Sequence, residues 1–288
     1  MTPACAQQET RFGGFLFARA SAASRWLAAL GVLVATASAP AIAQDLEREA
    51  RWARETLATL LSGEAVRIPQ ANGHRFLAIY QAAARLPSEA ANPPPGAAII
   101  AHGRGWGPDV DLYGALRTDL AEAGWSTLSI QLPVLPGTAK LGDYVPTYPD
   151  ADERFALAVD WLRQRGHTRV AIVSHSLGAT MANHYLVRTQ DGKVGAWVYL
   201  GILNGLDDMF RIKIPVLDVY AERDWEVIRV GADERRKQIE RIAGSRQVMV
   251  AGAQHFYEDQ REPLKRLIVE FLDAVMPAPQ AGPAAHKP

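Results

Sequence analysis

Cysteine is almost missing from this chain. Cys5 stands alone among 288 residues, so neither a disulfide framework nor a cysteine-rich zinc site is available. Charge of one sign is not in excess: 31 basic side chains face 31 acidic ones. That balance excludes the basic footprint that nucleic-acid phosphates demand. The H-E-x-x-H signature of zinc proteases is absent, as are a Walker loop and any internal repeat. No apolar run approaches the roughly 20 residues that span a bilayer. What is present is ordinary globular material, 48% hydrophobic and 22% charged, which excludes wholesale disorder and fibrous architecture.

The start of the chain reads as a targeting segment. Arg11, Arg19 and Arg25 precede an apolar run from Trp26 to Val34, and small residues then lead to A-I-A before Gln44. A basic region, a short apolar core and an A-x-A site make up a secretory signal peptide. Residues 1–43 are therefore expected to be removed after Ala43, with the mature protein periplasmic or secreted; a retained signal anchor is the alternative. Cleavage removes Cys5, which suits an oxidising compartment. No stable membrane span is expected after cleavage.

Residues 44–276 are expected to form one domain, followed by a flexible Pro/Ala tail over 277–288. An amphipathic helix is predicted over 45–62. Strands are predicted at 76–80, 97–101, 126–132, 169–173, 196–200, 214–220 and 247–251. Helices are predicted at 111–123, 152–165, 177–189 and 261–275. The stretch 91–96 reads as a rigid loop, and 133–150, with four prolines, two glycines and two tyrosines, reads as a long surface loop. Strands alternating with helices mean βαβ units: an α/β protein with a mostly parallel central sheet and helices on both faces. Only residues 201–213 separate two of the strands, too few for a large lid domain.

The chemistry is expected at the ends of those strands. In V-S-H-S-L-G-A, Val173 to Ala179, Ser176 falls between an apolar strand and a helix, where a tight turn raises the hydroxyl above the sheet. Ser174 stands where glycine is usual in G-x-S-x-G, a departure that leaves the motif's activity open. A serine hydroxyl needs a base. His255, after the last strand, reaches the same sheet edge. Asp224 lies just past strand 214–220 and would orient the imidazole, with Glu222 as the competing acid. Both acids are expected outside the core, and Trp225 is placed to shield the Asp–His pair. The order serine, acid, histidine is one of three triad orders in use, that of the α/β hydrolases. His175 reads as a packing or hydrogen-bonding residue and His184 as structural. The loop H-G-R-G at 102–105 brings flexible backbone to the site, and the N–H groups of Arg104 and Leu177 are the expected oxyanion donors. Its glycine spacing does not fit a dinucleotide loop, and neither a cofactor nor a metal is called for.

These residues, H-G-R-G, S-H-S-L-G at 174–178, Asp224 and H-F-Y at 255–257, make the chain resemble the α/β-hydrolase-fold serine hydrolases. It is most similar to an exported bacterial group of that fold known only as a domain of unknown function. The resemblance spans about residues 64–275. It implies the fold and the triad and brings no substrate. The expectation is an exported serine hydrolase that cleaves a carboxylic ester or, second, an amide of a small-molecule or acyl substrate. The alternative is a catalytically silent binding protein of the cell envelope built on the same fold. The oligomeric state is left open.

Overall fold

The computed structural model describes residues 44–84, 96–203 and 206–278. The expected signal peptide, the loop at 91–95 and the tail from 279 lie outside those residues. The elements run α1 (Leu46–Thr59), β1 (Glu64–Pro69), β2 (Arg75–Gln81), β3 (Ala97–Ala101), α2 (Leu112–Glu122), β4 (Ser126–Ile130), α3 (Tyr148–Gln164) and β5 (Val170–His175). They continue as α4 (Leu177–Arg188), β6 (Ala196–Leu200), β7 (Val216–Ala221), α5 (Glu226–Val230), α6 (Ala232–Ile239), β8 (Arg246–Val250) and α7 (Arg261–Val275).

The eight strands form one sheet in the order β1-β2-β4-β3-β5-β6-β7-β8. β1 and β2 run antiparallel, β2 meets β4 antiparallel, and β4 through β8 are parallel. Strands β3, β4, β5 and β6 are buried along their whole length because both sheet faces are covered. Alternation then sorts their side chains. Ile99, Ile172, Trp197 and Tyr199 share one core with Phe155 and Leu162 of α3 and Met181 and Tyr185 of α4. Ile100, Val173, Val198 and Leu200 share the other with Leu116 and Leu120 of α2 and Leu264 and Phe271 of α7. Parallel strands present their C-terminal ends along one edge, so β3, β5, β7 and β8 feed their following loops to a common place.

Three expectations are corrected. Strand β1 was not foreseen, because E-A-V-R-I-P buries little beyond Ile68 and reads as charged coil. The stretch 133–150 is not a surface loop throughout. Val134, Leu135, Ala139 and Tyr144 are buried, a 3₁₀ turn covers Leu141–Thr147, and α3 begins at Tyr148 with Pro149 in its first turn. Proline suits that place, where its missing N–H has no intrahelical acceptor. Asp224, expected outside the core, is only 4% exposed.

Candidate active site

Ser176 occupies the turn between β5 and α4 with φ 53° and ψ −123°. A left-handed φ is costly for a non-glycine residue and persists only where its surroundings impose it. Two contacts do so. Ser176 N–H donates to Leu200 O at the end of β6 (2.9 Å). Gly178 packs so closely on β3 that a Cβ there would lie 2.4 Å from His102 O and 2.8 Å from Ala101 O.

Ser174, the departure from G-x-S-x-G, faces away from the site. Its hydroxyl accepts from the indole N–H of Trp197 (2.9 Å) and donates to Val198 O (3.2 Å), and both residues are buried. A buried indole N–H needs an acceptor, and serine supplies one where glycine has none. This gives the variant motif a packing reason.

His255 and Asp224 meet at the same edge. His255 Nδ1 lies 2.7 Å from Asp224 Oδ1, and both side chains are buried. The carboxylate also accepts from the N–H groups of Trp225 (2.9 Å) and Ala221 (3.3 Å), so its orientation is fixed by its own turn. Trp225 stacks on the imidazole with ring centroids 4.1 Å apart and planes 20° off parallel. His255 Nε2 is buried and has no hydrogen-bond partner. Gly201 makes room for the pair: a Cβ at this residue, whose φ is +54°, would lie 2.9 Å from His255 Cε1. Glu222 turns elsewhere, accepting from Gly252 N–H (2.7 Å) at the surface.

The H-G-R-G loop is held by Tyr113, which the sequence did not single out, and by His175, read there as a packing or hydrogen-bonding residue. Gly103 N–H donates to the Tyr113 hydroxyl (2.8 Å), which lies 2.8 Å from His175 Nδ1. His175 Nε2 lies 3.0 Å from His255 O, a pure acceptor, so Nε2 carries the proton and Nδ1 accepts from Tyr113. One chain of three hydrogen bonds thus ties the 102–105 loop, through Tyr113 and His175, to the backbone of His255. The neutral imidazole this requires agrees with burial, which with the nearby His255 pulls the His175 pKa down to about 3. His102 is likewise neutral: burial lowers its pKa to about 4, and its Nε2 accepts from Leu132 N–H (2.9 Å). Gly103 is thereby spent as a donor, and Arg104 carries the next amide along the loop. Leu177 opens α4, where the first amides have no intrahelical acceptor. His184 lies well along α4 beside Asp152 (2.9 Å) and takes no part in the site.

Residues 20–153 match a family described as a protein of unknown function, DUF3530. No curated protein sequence matches the chain significantly. Solved structures do match in shape. Est1E from Butyrivibrio proteoclasticus is 17% identical with a TM-score of 0.57, over 73% of this chain and 98% of that one. XC6422 from Xanthomonas campestris, described as an α/β serine hydrolase without lid, is 13% identical with a TM-score of 0.59, over 76% and 97%. A dienelactone hydrolase from Anabaena variabilis is 19% identical with a TM-score of 0.57, over 74% and 98%. At such identities the likeness establishes the fold alone: the chain has the α/β-hydrolase fold in its lidless form.

Proposed function

We propose that this protein is an exported serine hydrolase that cleaves carboxylic esters through an acyl-enzyme. Ser176 Oγ attacks the ester carbonyl carbon while His255 Nε2 takes its proton. The negative charge on the carbonyl oxygen is met by the backbone N–H groups of Arg104 and Leu177. The C–O bond to the alcohol then breaks, and His255 gives that oxygen the proton. Water attacks the acyl group next, again losing a proton to His255, and Ser176 leaves with the proton returned. Asp224 holds the Nδ1 proton throughout and stabilises the imidazolium formed at each step.

One observation carries this reading. The imidazole is anchored at Nδ1 by a buried carboxylate while Nε2 is left without a partner, at the sheet edge that also carries a strained serine. Catalytic hydrogen bonds are often long before substrate binds, so an unengaged Nε2 is compatible with a working base.

A fluorophosphonate probe tests the reading, because its phosphorus is attacked only by an activated serine. Labelling is expected at Ser176 and lost in Ser176→Ala. A folded wild-type protein that stays unlabelled would favour the silent binding protein. Aryl esters compared with aminoacyl amides decide between esterase and peptidase, with the esters expected to turn over faster. Export is part of the proposal. It rests on the basic region, the apolar run from Trp26 to Val34 and the A-I-A site ahead of Gln44. Mass spectrometry of the protein from producing cells is expected to find Gln44 at the N-terminus; a cytoplasmic form that keeps residues 1–43 would end this part.

A further inference from the structure

We propose that the cleft between α2 and α7 binds the apolar acyl group of the substrate, a neutral arylalkyl or medium-length alkyl chain. The inference rests on the serine-hydrolase reading and adds a substrate class to it. The cleft holds about 520 Å³ and is walled by Trp106, Leu112, Leu116, Phe256 and Leu264. That volume lies within the roughly 300–1,000 Å³ of small-molecule sites, and the walls are of the kind such sites use.

Its position relative to the chemistry is set by two rings. Trp106 belongs to the glycine-rich loop that carries Arg104, and Phe256 follows His255. Their centroids are 5.2 Å apart, and the Phe256 ring lies 5.1 Å from the His255 ring. Phe256 thus lines the cleft and lies beside the imidazole. Both rings are only half-buried, so they present apolar surface rather than filling a core.

The rim says what the ligand is not. Asp111 and Glu258 line the cleft and are exposed, whereas the cation among its lining residues, Arg261, is already held by both carboxylate oxygens of Asp119 at 2.6 Å. A ligand carboxylate or phosphate would find two negative charges and a guanidinium already paired. A second hollow, of about 340 Å³, shares Trp106 but is smaller, and Glu55, Thr56, Thr59 and Asp109 line it beside Trp52 and Val110. The backbone around the cleft is unusual too: two of the non-glycine residues with positive φ, Asp111 (45°) and Tyr257 (56°), line it. Such conformations concentrate where a site is held in a set shape.

The test uses a graded series of p-nitrophenyl esters on the mature protein. Each methylene buried in an apolar site is worth roughly fourfold in binding. The ratio kcat/KM is therefore expected to rise by about tenfold or more from acetate to hexanoate. It should be lower for a half-ester whose acyl chain ends in a carboxylate. Ala115→Trp places an indole in the cleft from a residue outside the catalytic set. It should flatten the series, lowering kcat/KM for hexanoate far more than for acetate. Glu258→Lys should narrow the preference for the neutral ester over the half-ester. A readout free of turnover is calorimetric titration of Ser176→Ala with methyl 3-phenylpropanoate. Binding is expected there and lost when Ala115→Trp is added. A flat ester series in the wild type, or binding that Ala115→Trp leaves intact, overturns the cleft proposal. An unlabelled Ser176 and no acetate hydrolysis, with methyl 3-phenylpropanoate still bound and Ala115→Trp still blocking it, overturns the serine-hydrolase reading and leaves the cleft as a binding site.

Discussion

At the scale of single residues, the candidate site divides into groups the sequence displayed and groups it concealed. Ser176, Asp224 and His255 were legible because each follows a readable strand, and strand ends of a parallel sheet share one edge. The choice of Asp224 over Glu222 was weak in sequence; Asp224 lies 2.7 Å from His255, whereas Glu222 accepts from Gly252. Asp224→Asn is expected to lower kcat by orders of magnitude with little change in KM; the comparable loss in a serine protease is about 10⁴. Glu222→Gln should cost less than about tenfold, or roughly 1.4 kcal/mol. Steady-state kinetics on both variants checks this, and a crippled Glu222→Gln beside an active Asp224→Asn would break the assignment. Tyr113 was illegible because its partners, Gly103 and His175, are brought to it only by tertiary packing. Tyr113→Phe removes one hydroxyl and strands Gly103 N–H and His175 Nδ1 together, so kcat should fall more than tenfold while KM stays near wild type. Unchanged kcat would mean that the loop and the histidine hold their places without it. Ser174 makes the opposite point. Restoring the usual glycine, Ser174→Gly, deprives the Trp197 indole of its acceptor and should lower unfolding free energy by about 1–3 kcal/mol. Urea denaturation reads that loss, and a more stable Ser174→Gly would leave the variant motif without its packing explanation.

At the scale of elements, the strands buried on both faces were easy to read and the edges were not. Apolar runs such as A-A-I-I-A have no other economical place than a covered sheet. Strand β1 lies at the edge, is mostly exposed and carries charge, features that protect an edge from pairing with other chains and also erase its signal. The buried part of 133–150 was masked by its prolines, which mark turns regardless of depth. Helix α1 was visible as amphipathic, but Glu49 on it is buried against Arg154 of α3, a pairing across 105 positions that no local pattern carries. The packing of α4 on β3 is the element contact on which the proposed chemistry depends, because it sets Ser176 close to the end of β3. Gly178→Ala would drive a methyl into the carbonyl oxygens of Ala101 and His102, and backbone cannot step aside as a side chain does. A cost of about 1–3 kcal/mol is expected from such overpacking, together with weaker fluorophosphonate labelling. Gly142→Ala, where nothing lies within 4 Å of the added carbon, is the control and should leave both unchanged. Equal effects at the two positions would show that the tight α4–β3 approach is not what holds the elbow.

At the scale of the whole molecule, the same buried histidines that order the site also couple stability to acidity. His102 and His175 are both neutral in the fold, with pKa values of about 4 and about 3, whereas each returns to about 6.5 on unfolding. Between those limits the unfolded chain binds more protons than the folded one, so stability rises with pH through this window and is lost as pH falls below about 6.5. Two imidazoles acting together give a slope approaching about 2.7 kcal/mol per pH unit near pH 5. Asp152 and Asp218 act in the opposite sense, since burial raises both carboxyls and makes the fold the better proton acceptor. Their contribution sets in above the ordinary carboxylate value of 3.8 and subtracts from the histidine slope. Neither His102 nor His175 can be protonated in place without cost. His102 Nε2 would lose Leu132 N–H as a donor, and a proton on His175 Nδ1 would oppose the Tyr113 hydroxyl. Acidification should therefore loosen the 102–105 loop and the His255 loop together, because one hydrogen-bonded chain joins them. Urea unfolding between pH 7.5 and 4.5 measures the slope directly. A stability that stays level from pH 6.5 to 5 would mean that these imidazoles are not held neutral, and His175 would then donate from Nδ1 as well as Nε2 instead of accepting from Tyr113.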